Sequence, residues 1–258
     1  MGHQDVYDHM FYDGLQDPFE GKMMGHFAQV TADTYGFSRE EMDAFATESA
    51  RRAQKAVADG TFAGELAPVT IKSRRGETVV DTDETPGTVS VEKIPTLRPA
   101  FAKDGTVTAA TSSSISDGAA AVLMMTAAEA EKRGLTPIAK IVSHSAFAQE
   151  PAWFTTAPVY ALKKLLEAQG WTPDDVDLFE INEAFAVVTM AAMKDVGISH
   201  DKVNVNGGAC ALGHPIGATG CRISVTLLHE LAARGLTRGI ATQCIGGGEA
   251  TAVAYEIL

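Results

Sequence analysis

Beyond Gly134 the sequence alternates strand-type and helix-type segments with a regularity that leaves few folds open. Branched and apolar residues predict strands near 138–146, 176–181, 203–205, 239–245 and 250–257. Between them helices are expected near 159–168, 184–196 and 218–234. The helix at 159–168 sets Leu162, Leu165 and Leu166 on one face. The helix at 218–234 carries Cys221, Ile223, Val225, Leu227, Leu228 and Leu231 on most of its sides and reads as buried. Strands alternating with helices and closed by a strand pair describe an α/β fold, a mixed sheet covered by helices. Ligands of such sheets gather at the carboxyl ends of strands.

Three of those ends hold unusual residues. Asn182-Glu-Ala-Phe-Ala186 follows the second strand, Asn206 to Gly220 is a glycine-rich turn after the third, and Cys244-Ile-Gly-Gly-Gly248 ends the fourth. His214, between Gly213 and Pro215, precedes a helix start that disfavours positive charge, so a neutral imidazole or a bound anion fits there. A lone histidine is more often structural, but the surrounding glycines permit close backbone approach to a ligand. Cys244 reads either as a small core residue or as a thiol beside the N–H groups of Gly246 to Gly248. Asn182 reads as a helix cap or a site residue, and Glu183 as a carboxylate in the first helical turn or near the same crevice. Cys221 reads as core. The cysteines Cys210, Cys221 and Cys244 with His214 lack the paired spacing of a zinc site, so no metal is expected. Neither a Walker sequence nor Gly-x-Gly-x-x-Gly occurs, so no nucleotide cofactor is expected either.

The first half is organised differently. Ser38 with Glu41 spells a capping box for a helix whose apolar face runs through Met42, Phe45, Ala46, Ala50 and Ala53 to a stop at Gly60. Arg51, Arg52 and Lys55 on that helix read as a solvated face. A second helix is expected over about 27–35. From Gly60 to Ser116 short β-rich pieces alternate with turn residues, the mark of a functional cover rather than filler. The apolar run Asp117 to Met125 reads as buried, which makes Thr111 to Ser114 a packed loop, and Thr126-x-x-Glu129 opens another helix.

Composition excludes several classes. The formal net charge of −12 gives no basic face for nucleic acid. No apolar run is long enough to cross a bilayer, and the first residues lack the pattern of a secretory leader. Three cysteines cannot build a disulfide framework, so a reducing, cytoplasmic setting is expected.

Asn182-Glu-Ala-Phe-Ala186, Asn204 to Ala218 and Cys244 to Gly248 together resemble the thiolase family, most nearly its acetyl-CoA acetyltransferases. The resemblance continues through Ser38 to Ala46, Leu97 to Phe101, Asp104 to Ala109 and Asp117 to Ala121. It implies a thiolase-like mixed sheet preceded by an irregular α/β loop domain: residues 1–115 covering CoA, 116–135 a remnant of the N-terminal domain, and 136–258 the catalytic domain. It also implies reversible Claisen chemistry on CoA thioesters, with no cofactor beyond the CoA substrate. By motif, Cys244 is the acid/base and His214 activates the nucleophilic thiol. Asn182 holds the water of one oxyanion hole, and the N–H of Gly246 belongs to a second. CoA contacts are expected from Ser113, Ala109, Ile115, Ala100, Phe101, Met24, Ala184 and Phe185.

The likeness has limits. Family members carry an acyl-accepting cysteine in their N-terminal domain, and no cysteine precedes Cys210 here. The chain is therefore expected to be inactive alone and to leave an exposed apolar surface. It is expected to act as a homo-oligomer or with a complementing N-terminal chain; a non-catalytic CoA-binding or assembly subunit is the alternative. Met23 stands where many relatives have His, and Ser114 and Ser116 replace a Gly and an Asn. The Asn-Glu-Ala-Phe spelling differs from the sterol-carrier type.

Overall fold

The structure, a computed structural model, describes residues 1–258. Helices α1 (Met24–Tyr35) and α2 (Arg39–Ala58) open it, followed by the hairpin β1 (Val69–Ser73) and β2 (Gly76–Val80). The Ser38 hydroxyl accepts from the Glu41 N–H at 3.1 Å while the Glu41 carboxylate accepts from the Ser38 N–H at 2.8 Å, so the capping box is complete. After the single turn α3 (Thr85–Thr88) and a long loop comes α4 (Ala127–Arg133). There Thr126 accepts from the Glu129 N–H, but the Glu129 carboxylate turns to Arg133, so only half of that second box forms.

The second half builds the sheet. Strands β3 (Ala139–Ala148), β4 (Leu178–Ile181), β5 (Arg238–Ile245) and β6 (Glu249–Ile257) lie in the order β3-β6-β5-β4. β4 runs parallel to β5, and the other two pairings are antiparallel. Side chains alternate between the faces as the pleat requires. Phe179, Ile181, Ile240, Ala250, Ala252 and Ala254 pack on Leu162, Leu165 and Leu166 of α5 (Ala157–Gln169). Leu178 and Ala241 meet Ile223, Leu227 and Leu231 of α8 (Thr219–Arg234) on the other face. Each such Leu, Ile or Phe side chain contributes about 1.5–3 kcal/mol by leaving water. Any Cβ at Gly239 would collide with Leu227 and Leu231, so this glycine lets α8 lie close on the sheet. Helices α1 and α2 share a second core with α6 (Ala186–Val196), centred on Ala28, Ala32, Met42, Phe45, Val187 and Met190. The short turn α7 (Ala209–Leu212) packs against α2.

Several expectations change. The run from Asp117 to Met125 is exposed, not buried: Leu123 and Met124 are 83% and 68% accessible, and no backbone hydrogen bond reaches residues 117 to 125. Ala119 and Ala120 share a shallow pocket with Pro215 to Ala218 and Cys221, while Val122 to Met125 stand exposed. The expected strand at 203–205 is a single parallel bridge between Phe179 and Val203. Asn204 ends it there, because its side-chain amide takes both the N–H and the C=O of Ile181 at 2.8 Å each, substituting for a strand partner. Arg52 is not solvated; its guanidinium donates to the carbonyls of His200 and Val203. Cys221 is half-buried rather than core. No helix is long and apolar enough to cross a membrane.

Candidate active site

The parallel pairing of β4 with β5 continues one residue past Ile181, where the Asn182 N–H donates to the Thr242 carbonyl at 3.0 Å. Asn182 and Cys244 therefore end neighbouring strands on one edge of the sheet. The helix-terminus reading holds for neither Asn182 nor Glu183. Helix α6 starts at Ala186 with Phe185 as its N-cap, so Asn182 does not cap it and Glu183 is not in its first turn. Both side chains are buried.

His214 reaches the same edge from the glycine-rich turn. Its Nε2 lies 3.4 Å from the Asn182 Nδ2, and its Nδ1 lies 2.6 Å from the Thr219 hydroxyl. The Thr219 hydroxyl also lies 3.0 Å from the Pro215 carbonyl, and we assign its proton to that carbonyl. The hydroxyl oxygen must then accept from His214, which puts the ring proton on Nδ1 and leaves the Nε2 lone pair facing Asn182. Burial and the Arg222 guanidinium push the imidazole down to about 4, so it is neutral at pH 7. The Asn182 Oδ1 is buried without a hydrogen-bond partner in the chain.

Cys244 is 8% exposed and packs with Phe27, Phe154, Ala184 and Val188, with Met24 and Phe185 against them. Burial pushes its thiol up to about 12, so it is protonated at neutral pH. The hairpin after it turns through Gly246, Gly247 and Gly248, the last two at φ 95° and 90°, which side-chain-bearing residues rarely adopt. None of the three N–H groups donates to a backbone carbonyl. Met24 lies beside Gly246, within 3.3 Å of where a Cβ would stand.

Most of the CoA residues expected from the sequence form one connected surface around this edge. The N–H and hydroxyl of Ser113 both donate to the Ala184 carbonyl at 3.0 Å. Phe101 meets Phe185 edge-on with centroids 6.0 Å apart and lies over Gly25, beside Met24. The exposed Ile115 bridges to His214, whose N–H donates to the Ser114 carbonyl at 3.1 Å. Ala100 pairs through its N–H with the Val107 carbonyl, next to Phe101. Ala109 is exposed at the base of the Ser-rich loop, and no hydrogen bond ties it to the rest of the set.

Sequence reasoning missed three supporting groups. Thr219 lies five residues after His214 at a helix start, a spacing that signals a partner for the ring. Ser49 contacts the site from 134 residues before Glu183, where no local pattern points to it. Arg222 sits among Glu65, Asp83, Glu180 and Glu183 and draws down the proton affinity of each. Burial outweighs it and holds Glu180 up to about 8. No group of three His, Cys, Asp or Glu residues is arranged to hold a metal.

Comparison with known proteins gives this geometry a family. Residues 1–128 match the family described as "Thiolase, N-terminal domain" and residues 135–257 match "Thiolase, C-terminal domain". An acetyl-CoA acetyltransferase of Paracoccus denitrificans is 49% identical over 99% of the chain, and one of Pseudomonas aeruginosa is 48% identical over 98%. The chain spans 66% and 65% of their respective lengths, just under two thirds. Among solved structures, the Bacillus anthracis acetyl-CoA acetyltransferase superposes with TM-score 0.96 at 42% identity. An Ascaris suum thiolase in complex with coenzyme A gives 0.89 at 40% identity. Each covers the whole chain, which spans 66% of either structure. With motifs, sheet and relatives in agreement along nearly its full length, the chain belongs to the thiolase family.

Proposed function

We propose that this chain supplies the acid/base and oxyanion-binding part of a thiolase active site. In that role it would catalyse acetyl transfer between CoA thioesters together with an acyl-accepting thiol that its own 258 residues do not contain. The reading is carried by one observation: the Nε2 lone pair of His214 faces the Asn182 amide on the strand edge that also ends in Cys244.

In the cleavage direction, the His214 Nε2 takes the proton of the nucleophilic thiol, whose sulfur attacks the ketone carbon of a 3-ketoacyl-CoA. As the carbon–carbon bond breaks, the Cys244 thiol protonates the departing carbanion and acetyl-CoA leaves. A CoA thiol then attacks the acyl-enzyme and passes its proton to the Cys244 thiolate. The released nucleophile recovers its own proton from His214, so every proton is returned. Condensation of two acetyl-CoA runs the same steps backwards. Once protonated at Nε2, His214 becomes a donor to the enolate oxygen, and a water on the unpartnered Asn182 Oδ1 is the natural companion donor. The free N–H of Gly246 suits the second tetrahedral intermediate. CoA would lie along Met24, Ala100, Phe101, Ala109, Ser113, Ile115, Ala184 and Phe185. The chemistry requires no cofactor, since CoA thioester is the substrate.

The missing thiol comes, in this reading, from a complementing N-terminal segment or chain, and the exposed apolar run from Ala119 to Met125 is available to such a partner. A non-catalytic CoA-binding subunit is the second reading, favoured only by the absence of a cysteine before Cys210. Calorimetric titration with CoA, beside an acetoacetyl-CoA thiolysis assay of the chain alone, tests the proposal, and turnover on adding the missing segment separates it from the second reading. Binding without turnover is expected; no binding at millimolar CoA overturns the proposal.

A further inference from the structure

We infer that Glu183 is a positioning residue that holds the glycine-rich turn so that His214 meets Asn182. The inference rests on the acid/base reading of His214.

The Glu183 carboxylate accepts from the Ser49 hydroxyl at 2.7 Å, the Asn204 side-chain amide at 2.8 Å and the Cys210 N–H at 3.1 Å. Ser49 itself accepts from the Gly208 N–H at 3.0 Å, so its single proton must point at Glu183. Every partner is thus a donor, and only an acceptor on both oxygens satisfies them all. The turn closes tightly over this group: a Cβ at Gly208 would collide with the carboxylate, and one at Gly207 would stand 2.6 Å from the Ser49 carbonyl oxygen. Gly207 also adopts φ 82°, and Asn204, at φ 47°, is the one non-glycine residue with positive φ.

These contacts pin the start of α7. Two others pin the segment after it: the His214 N–H on the Ser114 carbonyl, and the His214 ring on Thr219. His214 is therefore suspended between an anchor on its N-terminal side, centred on Glu183, and the start of α8. Burying a carboxylate is costly, and burial does push Glu183 up against the pull of its three donors and Arg222. A core that needed only filling would have used an apolar side chain here. The requirement met is a junction for three donors from α2, Asn204 and α7 at one point.

The test uses the full chain with Glu183→Gln, whose amide turns a donor towards donors, and Ser49→Ala, which keeps the carboxylate and removes one strut. The readouts are NMR titration of the His214 imidazole and its tautomer. Should Glu183→Gln fail to fold, Ser49→Ala carries the test. Loss of the anchor admits water to the ring, so His214 is expected to titrate about one pH unit or more higher, with the Nδ1–H tautomer no longer dominant. Removing a negative charge alone would shift it the other way. A folded variant with unchanged His214 titration and tautomer overturns the inference, however far its Tm falls. Absence of CoA binding by the unaltered chain would sink the functional reading instead, and leaves this readout intact.

Discussion

The Nδ1 of His214 lies 2.6 Å from the Thr219 hydroxyl, and that contact decides which ring nitrogen faces the crevice. The Pro215 carbonyl that takes the Thr219 proton already accepts two backbone N–H groups, from Ala218 and Thr219. Thr219→Val keeps the shape and removes the hydroxyl. We expect mixed tautomers of His214 by nitrogen NMR and, in an enzyme completed with an acyl-accepting segment, a kcat lower by about 10- to 100-fold, part of what a positioned acid/base contributes.

Two buried groups should impose opposite pH dependences on stability. His214 is held down to about 4 in the folded chain, so its contribution is complete above the unfolded value near 6.5 and is lost as pH falls through 4. Glu180 is held up to about 8, so its contribution is complete below the unfolded value near 4.5 and is lost as pH rises through 8. Glu180→Gln should therefore raise Tm at pH 8.5, with the gain vanishing towards pH 5. An equal gain at both pH values would contradict the assignment.

The three cysteines should differ in reactivity. Burial raises the thiols of Cys244 and of Cys210, which Glu183 raises further, whereas Cys221, half-buried like Cys210, lies near the start of α8 and lines an open pocket. Brief treatment with iodoacetamide at pH 7.5 should label Cys221 first, read by peptide mass spectrometry. Rapid labelling of Cys244 in the ligand-free chain would refute the buried thiol described above.

Ser38→Ala removes one half of the capping box on α2. Chemical denaturation should show a loss of about 1 kcal/mol. CoA affinity should be unchanged, because the cap lies apart from the expected CoA surface.

Much of this is legible in the sequence because local chemistry and tertiary role coincide. The Ser38 cap, the glycine stops and the apolar faces of α5 and α8 each announce an element that the fold then uses. His214 and Cys244 stand out because each lies among glycines, before a helix or at a strand end, and Asn182 because it follows a strand. Other features depend on partners far along the chain. Arg52 looks solvated until the His200 and Val203 carbonyls arrive from 148 and 151 residues away. Glu183 looks like a first-turn carboxylate until Ser49 meets it. Asn204 replaces a strand with two side-chain hydrogen bonds, which no β propensity reports. The run at 117–125 has the composition of a buried segment, yet Val122 to Met125 stand exposed, and composition does not report whether a neighbour arrives.

The most direct test of the central claim is acetoacetyl-CoA thiolysis by the chain mixed with the remaining third of the Paracoccus denitrificans relative. We predict no turnover by either piece alone. Turnover is predicted on mixing, and it should fall by about 10³-fold or more with Cys244→Ala or His214→Ala. Association of the two pieces without turnover, or turnover indifferent to both substitutions, would contradict it.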